Sequence, residues 1–331
     1  MPALPVDQTA KGPGVSVDQR TSQADTDGKF RRQAASFRDV IAPDHDQFKP
    51  EKGRYVLYVS AICPWAHRTL ILRKLKGLDD FVEVIWLHWA LGPEGWFFKA
   101  EDNSIEKDPY YGFTRLREFY FKADPGYDKR FTVPMLWDRK LETIVNNESS
   151  EIIRIFNTAF NEVISPEKAK IDVYPEHLRT EIDEINEWIY NTVNNGVYKT
   201  GFATTQEAYD ENVYPLFKSL DRLDAILSDG REFLVGGQLT EVDVRLFVTI
   251  IRFDAAYNTL FKCNIKTIRY HYRHLHRWLL HLYYDFPEAF KDTTFLDQLK
   301  KGYATAKLTI VPAGPVPAIL EREEAQRLNL I

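Results

Sequence analysis

The sequence predicts an α/β domain followed by an all-helical one, and three observations carry that reading. A strand-like, a helix-like and a second strand-like run follow one another within about thirty-five residues, the signature of a βαβ unit. Two further strand-like runs and a helix come next, and four helical stretches with almost no strand signal fill the rest. The expected order is βαβ, ββα, then helices alone.

The elements follow from local pattern. Residues 1 to 28 are rich in Pro, Gly, Ser, Thr, Gln and Asp without a hydrophobic period, and read as a flexible arm. Arg54 to Ser60 is β-branched and aromatic and reads as the first strand; Ala66 to Leu75 reads as a helix with apolar Leu70, Ile71, Leu72 and Leu75; Phe81 to Leu87 is the second strand. Gly92 to Lys129 is aromatic, charged and too long for an ordinary connection, hence decoration or part of a binding surface. Phe131 to Trp137 reads as a strand, Leu141 to Val145 as its hairpin partner, and Glu148 to Phe156 as a helix. Leu178 to Thr192, Thr205 to Leu227, Glu241 to Phe253 and Ile268 to Tyr284 read as the later helices. Thr240-Glu241-Val242-Asp243 has the form of a capping box, whose loss costs about 1 kcal/mol. The division is 1–50 for arm and extension, 51–160 for the α/β domain and 161–331 for the helical domain with a C-terminal tail.

Composition narrows the function classes. The chain has 331 residues, 44% of them hydrophobic, enough for a sizeable core and about two domains. A net charge of -5, from 43 basic and 48 acidic residues well mixed along the chain, argues against a nucleic-acid or membrane surface and favours a small-molecule partner. Only two cysteines, Cys63 and Cys263, far apart, make no disulfide framework and fit a reducing, cytoplasmic setting; Cys263 reads as core. Arg31-Arg32 is followed by no apolar stretch long enough for a twin-arginine signal and reads as surface charge.

Cys63-Pro64-Trp65-Ala66 carries the chemistry. A cysteine where a strand gives way to a helix meets free backbone N–H groups and the positive end of the helix dipole, which favour an anion. Its pKa is expected to fall, making the thiolate a nucleophile at neutral pH, against the plain reading of a small core residue. Pro64 suits the first helical turn. Ala66 stands where a redox Cys-x-x-Cys has its second cysteine, so any mixed disulfide on Cys63 needs an outside thiol to resolve it.

Two further places complete a pattern. Val133-Pro134 at a strand start marks either an edge or a tight cis turn that frees backbone groups to pair with an extended peptide. Glu148-Ser149 opens a helix where a carboxylate and an ammonium can be held, or where the residues simply cap. A ligand with an amine, a carboxylate and a central peptide thiol satisfies all three places. Glutathione has that pattern.

The motifs Cys63 to Arg68, Gly95-Trp96, Thr132-Val133-Pro134, Asn147 to Ile152, Asn194 to Lys199 and Arg252-Phe253-Asp254 together resemble those of the glutathionyl-hydroquinone reductases. These are the Xi class of glutathione transferases, related to the omega class. The resemblance implies a thioredoxin-like N-terminal domain with an all-helical glutathione-transferase C-terminal domain, and a homodimer. It implies glutathione as co-substrate, no metal, and glutathionylated quinols as partners. Cys63 would attack the glutathionyl sulfur of an S-glutathionyl-(chloro)hydroquinone, and a second glutathione would free the enzyme. Carbon leaves poorly unless the ring is protonated, so a proton donor is needed. The resemblance assigns that work to Tyr198 and Tyr303, with Tyr257 lining the aromatic site. For glutathione it implies Trp96 and Arg130 at the glycyl and cysteinyl end, Val133 with Pro134 as backbone partner, and Glu148 with Ser149 at the γ-glutamyl end.

Other readings compete. An omega-type thiol transferase or dehydroascorbate reductase would use the same cysteine, and a non-catalytic homologue would only bind hydrophobic ligands. His271, His274, His276 and His281 crowd one helical segment, with no acidic or thiol partner at ligand spacing. Arg269 to Arg273 mixes base with aromatic, as single-strand binders do, but within a helical pattern, and reads as a solvated face.

Overall fold

Strand β1 (Tyr55–Val59) is buried on both faces along its whole length, as a central strand covered by helices must be. It pairs in parallel with β2 (Val82–Trp86), Leu57 opposite Val84, and antiparallel with β3 (Met135–Asp138), Leu57 opposite Leu136. With β4 (Thr143–Asn146) the sheet order is β2-β1-β3-β4, the α/β class expected. Buried Arg54 ties the start of β1 to Asp138 at the end of β3, Nε lying 3.0 Å from Oδ2. The computed structural model describes residues 24–306, 319 and 321–330.

Helix α1 (Pro64–Leu75) crosses from β1 to β2 and packs beside α3 (Ser149–Thr158) on one face of the sheet. The long segment before β3 contributes α2 (Arg117–Ala123) and an aromatic cluster in which the Phe119 ring lies 5.2 Å from that of Trp137. It is thus largely packing decoration, although its flanks, Trp96 and Arg130, reach the site below.

The first 23 residues of the expected arm lie outside the described residues. Residues 24 to 30 form a turn closed by a bridge from Ala24 to Phe30, with Gly28 at φ +79° against Thr205. Beyond it, Phe30, Ile41 and Phe48 enter the core, and Asp39 N–H donates to Val145 O at 3.0 Å. The chain before β1 therefore covers the open edge of β4, a place where unpaired backbone groups need a partner.

The remainder is helical: α4 (Arg179–Ile189), α5 (Gly196–Gly201), α6 (Gln206–Ile226), α7 (Glu241–Arg252), α8 (Arg273–Asp285) and α9 (Leu296–Ala306). The Thr240–Asp243 capping box forms, and the Asp243 carboxylate also accepts Trp278 Nε1–H at 3.0 Å. Three expectations differ. The helix read from Leu178 loosens into a π-helical turn, Tyr190–Asn194; a similar turn, Phe253–Tyr257, follows α7 just where its expected helix ends. The stretch read as one helix from Ile268 to Tyr284 is two, broken at Tyr272. Each piece is capped by a carboxylate from elsewhere in the chain: Asp254 accepts the N–H groups of Ile268 and Arg269 at 2.8 and 2.9 Å at the start of the first, and at the break Asp224 accepts those of His274 and Leu275 at 2.8 and 2.9 Å, starting the second. The strand read from Phe131 starts only at Met135, because Phe131 to Pro134 leave the sheet and Val133–Pro134 is cis. Among the described residues no helix is long and apolar enough to cross a membrane, and no group of three or more His, Cys, Asp or Glu is arranged to hold a metal ion.

Candidate active site

Cys63 sits at the N-cap of α1 with extended backbone, φ -78° and ψ 115°, and Pro64 takes the first helical position. Its N–H donates to Ser60 O at 3.0 Å, closing the turn that leads out of β1. The side chain is buried, and the thiol donates to Val133 O at 3.3 Å. The expected fall in pKa is reversed. Burial pushes the thiol above its ordinary value, against the Ala66 and Trp65 N–H groups and the charges of Arg252 and Arg32, which pull it down. The helix start does favour the anion; desolvation of the sulfur outweighs it.

The thiol opens into a cleft of about 250 Å³ between the sheet side and the helices. Trp96, Arg130, Val133, Pro134, Glu148 and Ser149 all line it, so the residues assigned to glutathione share one cleft with the thiol. Ser149 is buried at the first turn of α3, within 3.4 Å of an Arg68 guanidinium nitrogen. Glu148 caps α3 itself, its Oε1 accepting Ser150 N–H at 3.0 Å and the Ser150 hydroxyl at 2.9 Å. The Thr132 carbonyl accepts the Tyr120 hydroxyl at 2.8 Å, and Asn147 donates to the same phenol at 3.1 Å, which fixes the loop before Pro134. Burial, with Arg32 nearby, lowers the pKa of Arg130.

The same cleft is lined by aromatic rings from the helices. Tyr198 from α5, Tyr303 from α9 and Tyr257 from the turn after α7 form a hydrogen-bonded triangle with O···O distances of 2.7, 3.1 and 3.4 Å. Tyr198 and Tyr303 face the cleft, whereas Tyr257 is fully buried and is not among its lining residues. It stands behind the other two and braces them. All three phenols are held above their usual pKa, chiefly by burial. For Tyr198 the nearby Cys63 adds to the rise, while hydrogen bonds from Tyr257 and Tyr303 oppose it. Either member of each pair can donate, so the triangle holds the three hydroxyls together, and Tyr198 is the one that both lines the cleft and feels the charge of Cys63.

Several contributors escape sequence reading. Arg32, read with Arg31 as surface charge, lies 4.5 Å over the Trp65 ring and 5.1 Å over that of Tyr198, and donates to Asn195 Oδ1 at 3.1 Å. It is exposed, yet it roofs the cleft; only Arg31 is spent on surface pairs, with Asp25 and Asp27. Arg68, fully buried beneath Trp65, donates to Asn194 Oδ1 at 3.0 Å, and burial pushes it down to about 9. Gly302 allows α9 to press on the cysteine loop: a Cβ there would lie 2.3 Å from Ile62 Cγ2. Its spacing one residue before Tyr303 was the available signal. Of the four clustered histidines, His276 is buried with Nδ1 unpartnered among the described residues, and His281 faces Asp285 at 2.8 Å.

Comparison with known proteins agrees with this architecture. Residues 62–159 match the glutathione S-transferase N-terminal domain and residues 206–281 the C-terminal domain of that family. The chain is 54% identical over 306 residues to the glutathione S-transferase omega-like 2 of Schizosaccharomyces pombe, covering 90% of this chain and 97% of that protein. It is 47% identical over 308 residues to the glutathionyl-hydroquinone reductase YqjG of Escherichia coli, covering 91% and 92%. The Xi glutathione transferase ECM4 of Saccharomyces cerevisiae, solved in complex with glutathione, superposes with a TM-score of 0.84 at 41% identity, covering 88% of this chain and 99% of that one.

Proposed function

The chain belongs to the glutathione transferases, in the Xi class of glutathionyl-hydroquinone reductases, and from that premise we propose how it works on S-glutathionyl-(chloro)hydroquinones. Glutathione is its co-substrate, and the domain from about residue 51 to 160 holds it while residues 161–331 supply the aromatic wall. Trp96 and Arg130 take the glycyl and cysteinyl end, the Val133 backbone before Pro134 pairs with the cysteinyl unit, and Ser149 with Glu148 takes the γ-glutamyl end.

The observation that carries the reading is the presence of Cys63 with Tyr198 and Tyr303, two members of the tyrosine triangle, in the lining of one cleft. The Cys63 thiolate attacks the glutathionyl sulfur, forming an S–S bond as the aryl carbon–sulfur bond breaks. The ring carbon takes a proton from Tyr198, and the hydroquinone leaves. Cys63 then holds glutathione as a mixed disulfide; a second glutathione, its thiol proton restoring the Tyr198 phenol, attacks the glutathione sulfur, so glutathione disulfide departs and the Cys63 thiolate returns. While Cys63 is anionic its charge keeps Tyr198 protonated, which holds the acid in the form the first step needs. The phenol that has given up its proton is stabilised by Tyr303 and Tyr257. The enzyme works as a cytoplasmic homodimer.

The test is mass spectrometry after a glutathionyl-hydroquinone is added without free glutathione. One glutathionyl group on the peptide containing Cys63, with release of the hydroquinone, is the expected result. No adduct, or an aryl group retained on the protein, would sink the proposal. Turnover on a hydroxyethyl mixed disulfide well above that on the hydroquinone conjugate would instead favour an omega-type thiol transferase.

A further inference from the structure

A buried cation from the other half of the molecule is bonded to the loop that delivers the nucleophile. Arg252, the last residue of α7, is 1% exposed, and no carboxylate lies within ion-pair distance of it among the described residues. Its partners are neutral. Nη2 donates to Ala61 O at 3.1 Å and Nε to Ile62 O at 3.2 Å, both carbonyls of the loop that delivers Cys63. Nη1 donates to Val248 O at 2.8 Å and lies 3.0 Å from His67 Nδ1. The imidazole is set to receive that bond. Its Nε2 lies 2.9 Å from Thr293 Oγ1, whose own hydroxyl donates to Ala289 O at 2.5 Å, so Nε2 carries the proton and Nδ1 accepts. His67 is buried, and its pKa is pushed well below the usual range by that burial and by Arg252, so it remains neutral and offers the guanidinium no countercharge.

A buried charge held only by neutral dipoles is costly unless an anion comes to face it. We infer that Arg252 is a positioning residue for the Cys63 reaction, fixing the loop that carries the sulfur and supplying the buried positive charge that the thiolate faces. The inference rests on Cys63 being the nucleophile. Other groups bear on the same sulfur. Arg32 adds charge from the segment before β1; Lys129, Arg130 and Glu148 line the cleft; Tyr198 and Tyr303 face it from the helices. Of these, Arg252 is the cation fully removed from water, where a charge acts most strongly.

Cys63 alkylation by iodoacetamide, followed against pH in Arg252→Gln and Arg252→Lys, separates charge from scaffolding. Both replacements can hydrogen-bond the Ala61 and Ile62 carbonyls; only lysine is charged. The glutamine variant should move the alkylation midpoint up by about one pH unit, roughly a tenfold loss of thiolate at neutral pH, and lysine should recover most of that shift. Equal midpoints in the two variants, shifted or not, would overturn the assignment and leave Arg252 a structural clamp. If circular dichroism finds the glutamine variant unfolded, Arg252→Met takes its place in the same comparison. Because alkylation uses no quinol, a failure of the hydroquinone reading leaves this result standing, and the reverse holds too.

Discussion

At Cys63 two physical effects compete. A helix start and nearby guanidinium groups favour the thiolate, and desolvation opposes it. Position in a sequence reveals the first effect but not the second, because burial of the sulfur depends on Val133 and the aromatic wall far away along the chain. In the unliganded enzyme, alkylation of Cys63 should therefore show a midpoint above the ordinary thiol value of about 8.5; a midpoint below it would mean the helix start prevails. A thiolate of higher pKa is scarcer but a better nucleophile, so a raised value is compatible with exchange chemistry. Cys63→Ser should abolish turnover while leaving the circular dichroism spectrum unchanged. Tyr198 is separable from the sulfur. Its loss as phenylalanine should slow reduction of glutathionyl-hydroquinones by roughly 10²- to 10⁴-fold, the contribution of a placed acid, and spare mixed disulfides, whose thiolate leaving group needs no proton. The ratio of the two activities in Tyr198→Phe is the informative number, since a destabilised protein would lose both equally. An unchanged ratio would return Tyr198 to packing.

Elements of local origin were the most legible. The helix after Cys63, the capping box at Thr240 and the start of α3 at Glu148-Ser149 follow from neighbours in sequence, and each forms within a residue or two of its expected place. The break at Tyr272 was illegible because the carboxylate that starts the second piece, on Asp224, is remote. The helix bearing Tyr303 carried too little apolar periodicity to be marked out. At α3 the cap and the proposed ligand site coincide. Ser149→Ala should weaken glutathione binding by about 1.5 to 3 kcal/mol, as loss of a hydrogen bond to a charged group does, with the helix retained; equal affinity by calorimetry would reduce the element to a cap. Helix α8 makes a separate prediction through His276, whose pKa burial pushes down to about 4. In the unfolded chain this imidazole binds a proton near pH 6.5, so between about 6.5 and 4 the unfolded state holds more protons than the folded one. Stability is present above that window and is lost as pH falls through it. His276→Gln should flatten the fall in melting temperature between pH 7 and 4.5; an unchanged slope would assign the acid sensitivity elsewhere.

For the molecule as a whole, the sequence conveyed the two-part order but not how the parts are joined. The joint is polar and buried. Arg68 of α1 reaches Asn194 Oδ1 at 3.0 Å, His67 of α1 reaches Thr293 at 2.9 Å, and Arg252 reaches back to the Ala61 carbonyl at 3.1 Å. Helix α1 thus packs on α3 on one side and on α7 on the other. None of these pairings has a sequence signature, because the partners are separated by more than a hundred residues and each residue type alone is unremarkable. They have an energetic consequence. Separating the two parts would break the bonds that Arg68 and Arg252 make across the joint, and a hydrogen bond to a charged group contributes about 1.5 to 3 kcal/mol net. Chains of this size often unfold domain by domain. Here, unfolding one part strips partners from the other, so calorimetry should give a single transition whose van't Hoff and calorimetric enthalpies agree per cooperative unit. Its midpoint should rise with protein concentration if the proposed homodimer unfolds as it dissociates. Two resolved transitions, or a calorimetric enthalpy well above the van't Hoff value per cooperative unit, would show that the buried joint does not couple the parts.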